Sequence, residues 1–222
     1  MIGAENPAQR ESATGLILPI IQLDSTTFSW AAGLEPLLDI GFLEILTGEK
    51  LFIEGPSGSG KSTLLNLLAG VLVPQQGEVR ILERGMTTIS SADRDRFRAD
   101  HIGVIFQMFN LIPYLSIAEN VTLPCRFSKR KLKNTTERSG GPLQEATRLL
   151  TALNLADPEM LRRPVTDLSV GQQQRVAAAR ALIGAPDIVI ADEPTSSLDA
   201  AHREAFVKLL FQECEQAGTT LV

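Results

Sequence analysis

A chain of 222 residues and 24.1 kDa, 44% apolar and 21% charged, can bury one sizeable core without disulfide or metal staples. Its 17 glycines and 12 prolines are ordinary usage, which excludes collagen-like and wholly disordered chains. A net charge of −5 argues against a nucleic-acid binder working through bulk electrostatics.

Residues 1–15 are polar, carry no hydrophobic period and predict a flexible tail. No run approaches the roughly 18 apolar residues needed to cross a bilayer, Leu16–Ile21 being broken by Pro19, and the start lacks a signal-peptide pattern. Cys125 and Cys214 form no C-x-x-C and suit a reducing compartment. The expectation is a cytoplasmic protein that reaches a membrane only through a partner.

Ile20 to Trp30 reads as extended, and Ile45-Leu46 and Leu51-Phe52-Ile53 as two strands joined by a turn at Gly48. Lys61 to Ala69 predicts a helix entered from glycines, Val79 to Leu82 a strand, Ser91 to Ala99 a charged helix with a serine cap, and Val104 to Phe106 a short strand. Beyond Gln107, helices are predicted at Ser116–Val121, Pro142–Leu153 and Ser169–Ile183, with the basic stretch Arg126–Gly141 a solvated loop. Asp187–Ala191 is the kind of β-branched strand buried on both faces of a parallel sheet. Ala201–Glu215 follows as a helix, with Gly218 after it and a strand from Thr219.

Gly55-Pro56-Ser57-Gly58-Ser59-Gly60-Lys61-Ser62 matches G-x-x-x-x-G-K-[ST] between a predicted strand and a predicted helix, the context that phosphate loop requires. Its glycines let backbone N–H groups converge on phosphate oxygens. Lys61 supplies a point charge, Ser62, with Thr63 beside it, a hydroxyl for Mg²⁺, and the helix start a favourable dipole. A nucleoside triphosphate is the expected ligand. Further on, the apolar strand through Ala191 delivers Asp192 and Glu193 to the sheet edge where ligands of open α/β sheets bind. Asp192 is placed to hold Mg²⁺ and Glu193 to polarise the attacking water. The architecture expected is α/β: a P-loop NTPase core with a mostly parallel sheet, flanking helices and an antiparallel β part at the N-terminus. A helical subdomain is inserted at about 108–180 within an ATP-binding domain spanning 16–222.

Leu168-Ser169-Val170-Gly171-Gln172-Gln173-Gln174-Arg175 resembles the signature of the ATP-binding cassette family. Other family elements occur in order: Gln107 in I-F-Q-M-F-N resembles the Q-loop, Ser197-Leu198-Asp199 the D-loop, and Trp30 sits where an aromatic stacks on adenine. The stretch F-Q-M-F-N-L-I-P-Y-L-S-I-A-E-N-V-T-L-P is most similar to the ATPases of lipoprotein-release and macrolide-export systems. The resemblance implies ATP with Mg²⁺ held by Ser62, Gln107 and Asp192, Glu193 as general base, and Lys61 with the Gly55–Gly60 backbone stabilising transferring charge. It also implies a head-to-tail pair with a second ATP-binding subunit, in which Ser169, Gly171 and Gln172 act in trans. The other implied partner is a separate transmembrane permease, which would keep the chain peripheral on the cytoplasmic face of the membrane.

Two departures stand out. Val170 replaces a glycine of the usual pair, and a β-branched residue cannot take positive φ cheaply. The family histidine that contacts the γ-phosphate lies beyond Val222, and neither His101 nor His202 replaces it by position. A fragment or a natural short form accounts for this, and either is expected to bind ATP but hydrolyse it poorly. His101 and His202 read as surface residues, and Lys129-Arg130-Lys131 with Lys133 as a solvated cluster that could meet anionic lipid or a membrane partner. Met108–Leu115 reads as core packing or as the lining of a docking groove for the permease. Rival functions are a non-transport ATPase pulling on a membrane partner and an ATP-dependent interaction module with little hydrolysis. A GTPase is disfavoured because no N-K-x-D occurs.

Overall fold

The computed structural model describes residues 19–31, 33–155, 157–196 and 200–222. The expected tail 1–15, Asp199 and the side chain of His202 lie outside the described residues. The N-terminal part is an antiparallel sheet of β1 (Pro19–Phe28), β2 (Leu38–Leu46), β3 (Gln76–Ile81) and β4 (Arg84–Gly85), in the order β2-β1-β3-β4. Helix α1 (Lys61–Leu68) leaves the phosphate loop. After it come α2 (Ser91–His101) and β5 (Ile102–Ile105), then α3 (Ile117–Thr122), α4 (Pro124–Phe127), α5 (Lys129–Ser139), α6 (Pro142–Ala152) and α7 (Val170–Leu182). The chain closes with β6 (Ile188–Ala191), α8 (Ala200–Ala217) and β7 (Thr220–Leu221). Strands β5, β6 and β7 form a parallel sheet in that order, so all of α3–α7 is inserted between two neighbouring strands. No helix among the described residues is long and apolar enough to cross a membrane.

The parallel sheet is the middle layer. Ile188 and Ile190 of β6 join Ile102 and Val222 in one core with Ile21, Leu23, Val79 and Ile81 of the antiparallel sheet and Leu64 and Leu68 of α1. Val189, with Ile105 and Leu221, faces the opposite way into a second core with Val121, Leu149, Val176, Leu182 and Phe206. Period-two alternation therefore buries both faces of β6, which is why its sequence is continuously apolar.

Several expectations are corrected. Leu51–Ile53 forms no strand: only Lys50 bridges to Leu221, because the neighbour it would pair with, β7, is two residues long. Arg126–Gly141 is not a solvated loop, since most of it is α5, capped by Ser128 and ended by Gly140 at φ 86°. Leu132 is the only aliphatic residue in this helix, so its hydrophobic pattern is silent. Its inner face is polar instead: Lys131 is 3% exposed and Thr135 is fully buried, and the Lys131 ammonium donates to the Ile102 carbonyl at 3.0 Å. Burial pushes that ammonium down to about 8. Arg130 reaches Asp187, with Nη2 at 3.1 Å from Oδ1, and His101 Nδ1 lies 2.8 Å from Asp187 Oδ2. Burial alone would raise the Asp187 carboxyl, but the bonds from His101 and Arg130 outweigh it and hold the group well below the usual carboxylate range. His101 also stacks on Phe97 with ring centroids 4.6 Å apart, so it is a packed, bonded residue and not a bland surface one.

Candidate functional site

The phosphate loop begins just past the Lys50 bridge, where Leu51 N–H donates to the Leu221 carbonyl at 2.8 Å. That bond ties the loop to the edge of the parallel sheet. Gly60, at φ 89°, is the N-cap of α1, a left-handed conformation that glycine reaches without strain. At Gly55 a Cβ would sit 2.8 Å from Ser59 Oγ, a contact that the exposed Ser59 hydroxyl relieves by rotating away, so the demand for glycine is strictest at Gly60. Lys61 folds back, its ammonium donating to the Gly55 carbonyl at 2.8 Å and the Pro56 carbonyl at 3.1 Å. Ser57, Gly58, Ser59 and Ser62 are exposed, whereas Thr63 is buried beneath the turn.

The acids arrive from the next strand. Parallel register places Ile105 opposite Ala191, so the residues that follow each emerge at the same edge. Asp192 N–H donates to the Ile105 carbonyl at 2.9 Å. One residue later the chain turns through Glu193 at φ 45°, and the Gln107 amide donates to Glu193 Oε2 at 3.2 Å. These two side chains are separated by 86 positions in sequence. Gly55, Lys61, Asp192 and Glu193 line one cavity of about 480 Å³, together with Phe52 and Arg203. Arg203 carried no motif and was missed in the sequence; only its place on α8 brings it there.

Pro56, Ser57, Gly58, Ser59, Gly60, Ser62, Thr63 and Gln107 do not line that cavity, nor do Ser169, Gly171, Gln172 and Trp30. Ser169 caps α7 through a capping box: its hydroxyl accepts from Gln172 N–H at 3.3 Å, while Gln172 Oε1 accepts from Ser169 N–H at 2.9 Å. Val170 and Gly171 lie in the first turn of α7, and neither has positive φ. The strain feared for Val170 is therefore absent; its side chain is half exposed on the helix end. Trp30 is 65% exposed and meets Phe28 edge-on, with centroids 5.2 Å apart.

A second concavity, about 520 Å³, opens between α2, α4 and the end of β5, lined by Ala99, Val104, Phe106, Pro124, Phe127 and Arg180. In the Met108–Leu115 run, Phe109 is buried while Met108 and Tyr114 are about four-fifths exposed (81% and 83%). That run thus divides between core and surface, and the groove is lined by flanking residues instead. Among the described residues no cluster of three or more His, Cys, Asp or Glu could hold a metal. An ion with few protein ligands and several waters is compatible with Ser62 and Asp192, as hard oxygen donors suit Mg²⁺.

Comparison with known proteins agrees with this geometry. The chain is 35% identical over 216 residues to the lipoprotein-releasing system ATP-binding protein LolD of Xylella fastidiosa, covering 96% of this chain and 86% of that one. It is 38% identical over 206 residues to the macrolide export ATP-binding/permease protein MacB of Burkholderia thailandensis, covering 92% of this chain and 30% of that longer one. Among solved structures, the dimeric post-hydrolysis state of the cassette MJ0796, bound to ADP and Pi, matches with a TM-score of 0.79 at 38% identity, over 91% of this chain and 86% of that one. MJ0796 comes from Methanocaldococcus jannaschii. These relatives meet the likeness to lipoprotein-release and macrolide-export ATPases carried by the segment after Phe106. Residues 40–196 match the ABC transporter family, and the chain belongs to it.

Proposed function

We propose that the chain is the MgATP-hydrolysing subunit of a transporter of the lipoprotein-release or macrolide-export type. In this reading it pairs head to tail with a second copy and acts on a separate transmembrane permease at the cytoplasmic face of the membrane. The observation that carries the reading is the convergence of Lys61, Asp192 and Glu193 on one cavity, with Gln107 bonded to Glu193.

The loop N–H groups between Gly55 and Ser62 cradle the phosphates, and an incoming phosphate oxygen replaces the carbonyls that Lys61 now contacts. Ser62, Asp192 and Gln107 are the groups that would hold Mg²⁺, which neutralises charge on the β- and γ-phosphate oxygens when bound. Glu193 accepts a proton from the attacking water, and Gln107, already 3.2 Å from that carboxylate, orients it. Trp30 offers its exposed ring to adenine. Ser169, exposed at the start of α7, and Gly171 and Gln172 in its first turn serve the partner copy's nucleotide in this reading, and Asp199 joins them by its D-loop resemblance alone. The groove at Phe106 and Phe127 is the surface offered to the permease; its apolar lining suits a helix laid across it.

The test is nucleotide titration by fluorescence with sedimentation in parallel. Lys61→Ala is expected to weaken MgATP by about 50-fold, the worth of one charge-assisted contact to phosphate. Glu193→Gln is expected to trap ATP-dependent dimers that Ser169→Glu abolishes. Unchanged affinity in Lys61→Ala would overturn the assignment.

A further inference from the structure

The contact between Gln107 and Glu193 depends on two chain segments that leave the sheet edge and turn at once. Beyond Gln107 the turn passes through Phe109 at φ 59° and Asn110 at φ 48°, two consecutive non-glycine residues in the left-handed region. For Phe109 above all this conformation is strained, and such strain persists only where surroundings enforce it. The enforcing group is Arg180 of α7. Its guanidinium donates to the Phe109 carbonyl through Nη2 and to the Asn110 carbonyl through Nη1, the latter at 2.6 Å. Burial pushes this guanidinium down from its ordinary value, and it makes no ion pair with any carboxylate among the described residues. A half-buried cation bonded only to main-chain carbonyls is costly unless those carbonyls must be held.

The same helix holds the other side of the contact. Gln174 is fully buried and its amide donates to the Pro194 carbonyl, one residue past Glu193. Gln174 and Arg180 are six positions apart, about 9 Å along α7. One rigid helix therefore grips both turns that bring Gln107 and Glu193 together.

We propose that Arg180 is a positioning residue for Gln107: by clamping the Phe109–Asn110 turn it sets the Gln107 amide against Glu193. This rests on the ATPase reading only in making Gln107 consequential; the clamp itself is a property of the nucleotide-free chain.

Arg180→Lys keeps the charge but loses the fork that spans two carbonyls. In the nucleotide-free protein, amide exchange at Phe109 and Asn110, whose N–H groups are now bonded to the Phe106 and Met108 carbonyls, is expected to rise at least tenfold, with the remainder of α7 unchanged. The side-chain amide resonance of Gln107, identified by its loss in Gln107→Ala, is expected to move to a solvent-like position. With MgATP, kcat is expected to fall about tenfold at constant KM, and Gln107→Ala/Arg180→Lys to be no slower than Gln107→Ala alone. Unchanged exchange at Phe109 and Asn110, or an equal cost of Arg180→Lys in the Gln107→Ala background, would overturn the proposal. A wild-type chain that neither binds nor turns over MgATP would sink the ATPase reading, while exchange and resonance would still decide the clamp.

Discussion

Lys131 is the most exposed to test of the residues that the fold buries. Lys131 is 3% exposed, its ammonium bonds one carbonyl, and burial, which disfavours the charge, pushes that ammonium down from 10.5 to about 8. Below pH 8 both folded and unfolded chains hold this proton, so the whole penalty, about 3 kcal/mol, weighs on the folded state. Between pH 8 and 10.5 the unfolded chain still holds the proton that the folded one has released. Stability therefore rises with pH across that window, the sign opposite to a lysine that gains a carboxylate. Lys131→Met keeps the volume and removes the charge, at the loss of a hydrogen bond worth about 1 kcal/mol. At pH 7 the variant is expected to be more stable than the parent by about 2 kcal/mol, and by pH 10 the difference should have closed to near zero. Cys214, whose thiol burial pushes up to about 12, works in the opposite direction at high pH, but it is common to both proteins and cancels in the comparison. Urea unfolding at pH 7, 8.5 and 10 measures the gap. A gap that stays constant across that range, or a variant less stable than the parent at pH 7, would refute the argument that this charge is desolvated.

Other outcomes follow from close approaches and buried pairs. Arg148 joins Glu145 at 3.0 Å to Glu213 at 2.9 Å, tying α6 to α8, and both carboxylates are buried. Arg148→Met strips Glu213 of its guanidinium and leaves Glu145 only the Arg138 guanidinium at 3.9 Å and the Ser139 hydroxyl, and should cost roughly 3 kcal/mol in urea unfolding. Gly103→Ala places a Cβ 2.0 Å from the Ala181 carbonyl, which neither β5 nor α7 can yield cheaply; a loss of more than about 2 kcal/mol, or failure to fold, is expected by thermal melting. Val170→Gly should weaken α7 by up to about 1 kcal/mol while changing ATP-driven dimerisation less than threefold, because residue 170 already has helical geometry.

The phosphate loop, the acids ending an apolar strand and the capped signature helix were legible in the sequence because each is a contiguous stretch whose residue types answer a local demand. Glycines serve tight backbone turns, β-branched residues a doubly buried strand, and Ser169 with Gln172 a helix start. Short-range rules misread α5 because a helix whose buried face is Lys131 and Thr135 shows no hydrophobic period, and misread Leu51–Ile53 because a strand exists only where a neighbour pairs with it. Tertiary structure alone decided that Gln107 meets Glu193, that Arg203 enters the cavity, and that Arg180 and Gln174 brace the two turns. Those contacts join segments separated along the chain, and only the pairing of β5 with β6 and the packing of α7 against β5 and α8 bring them together.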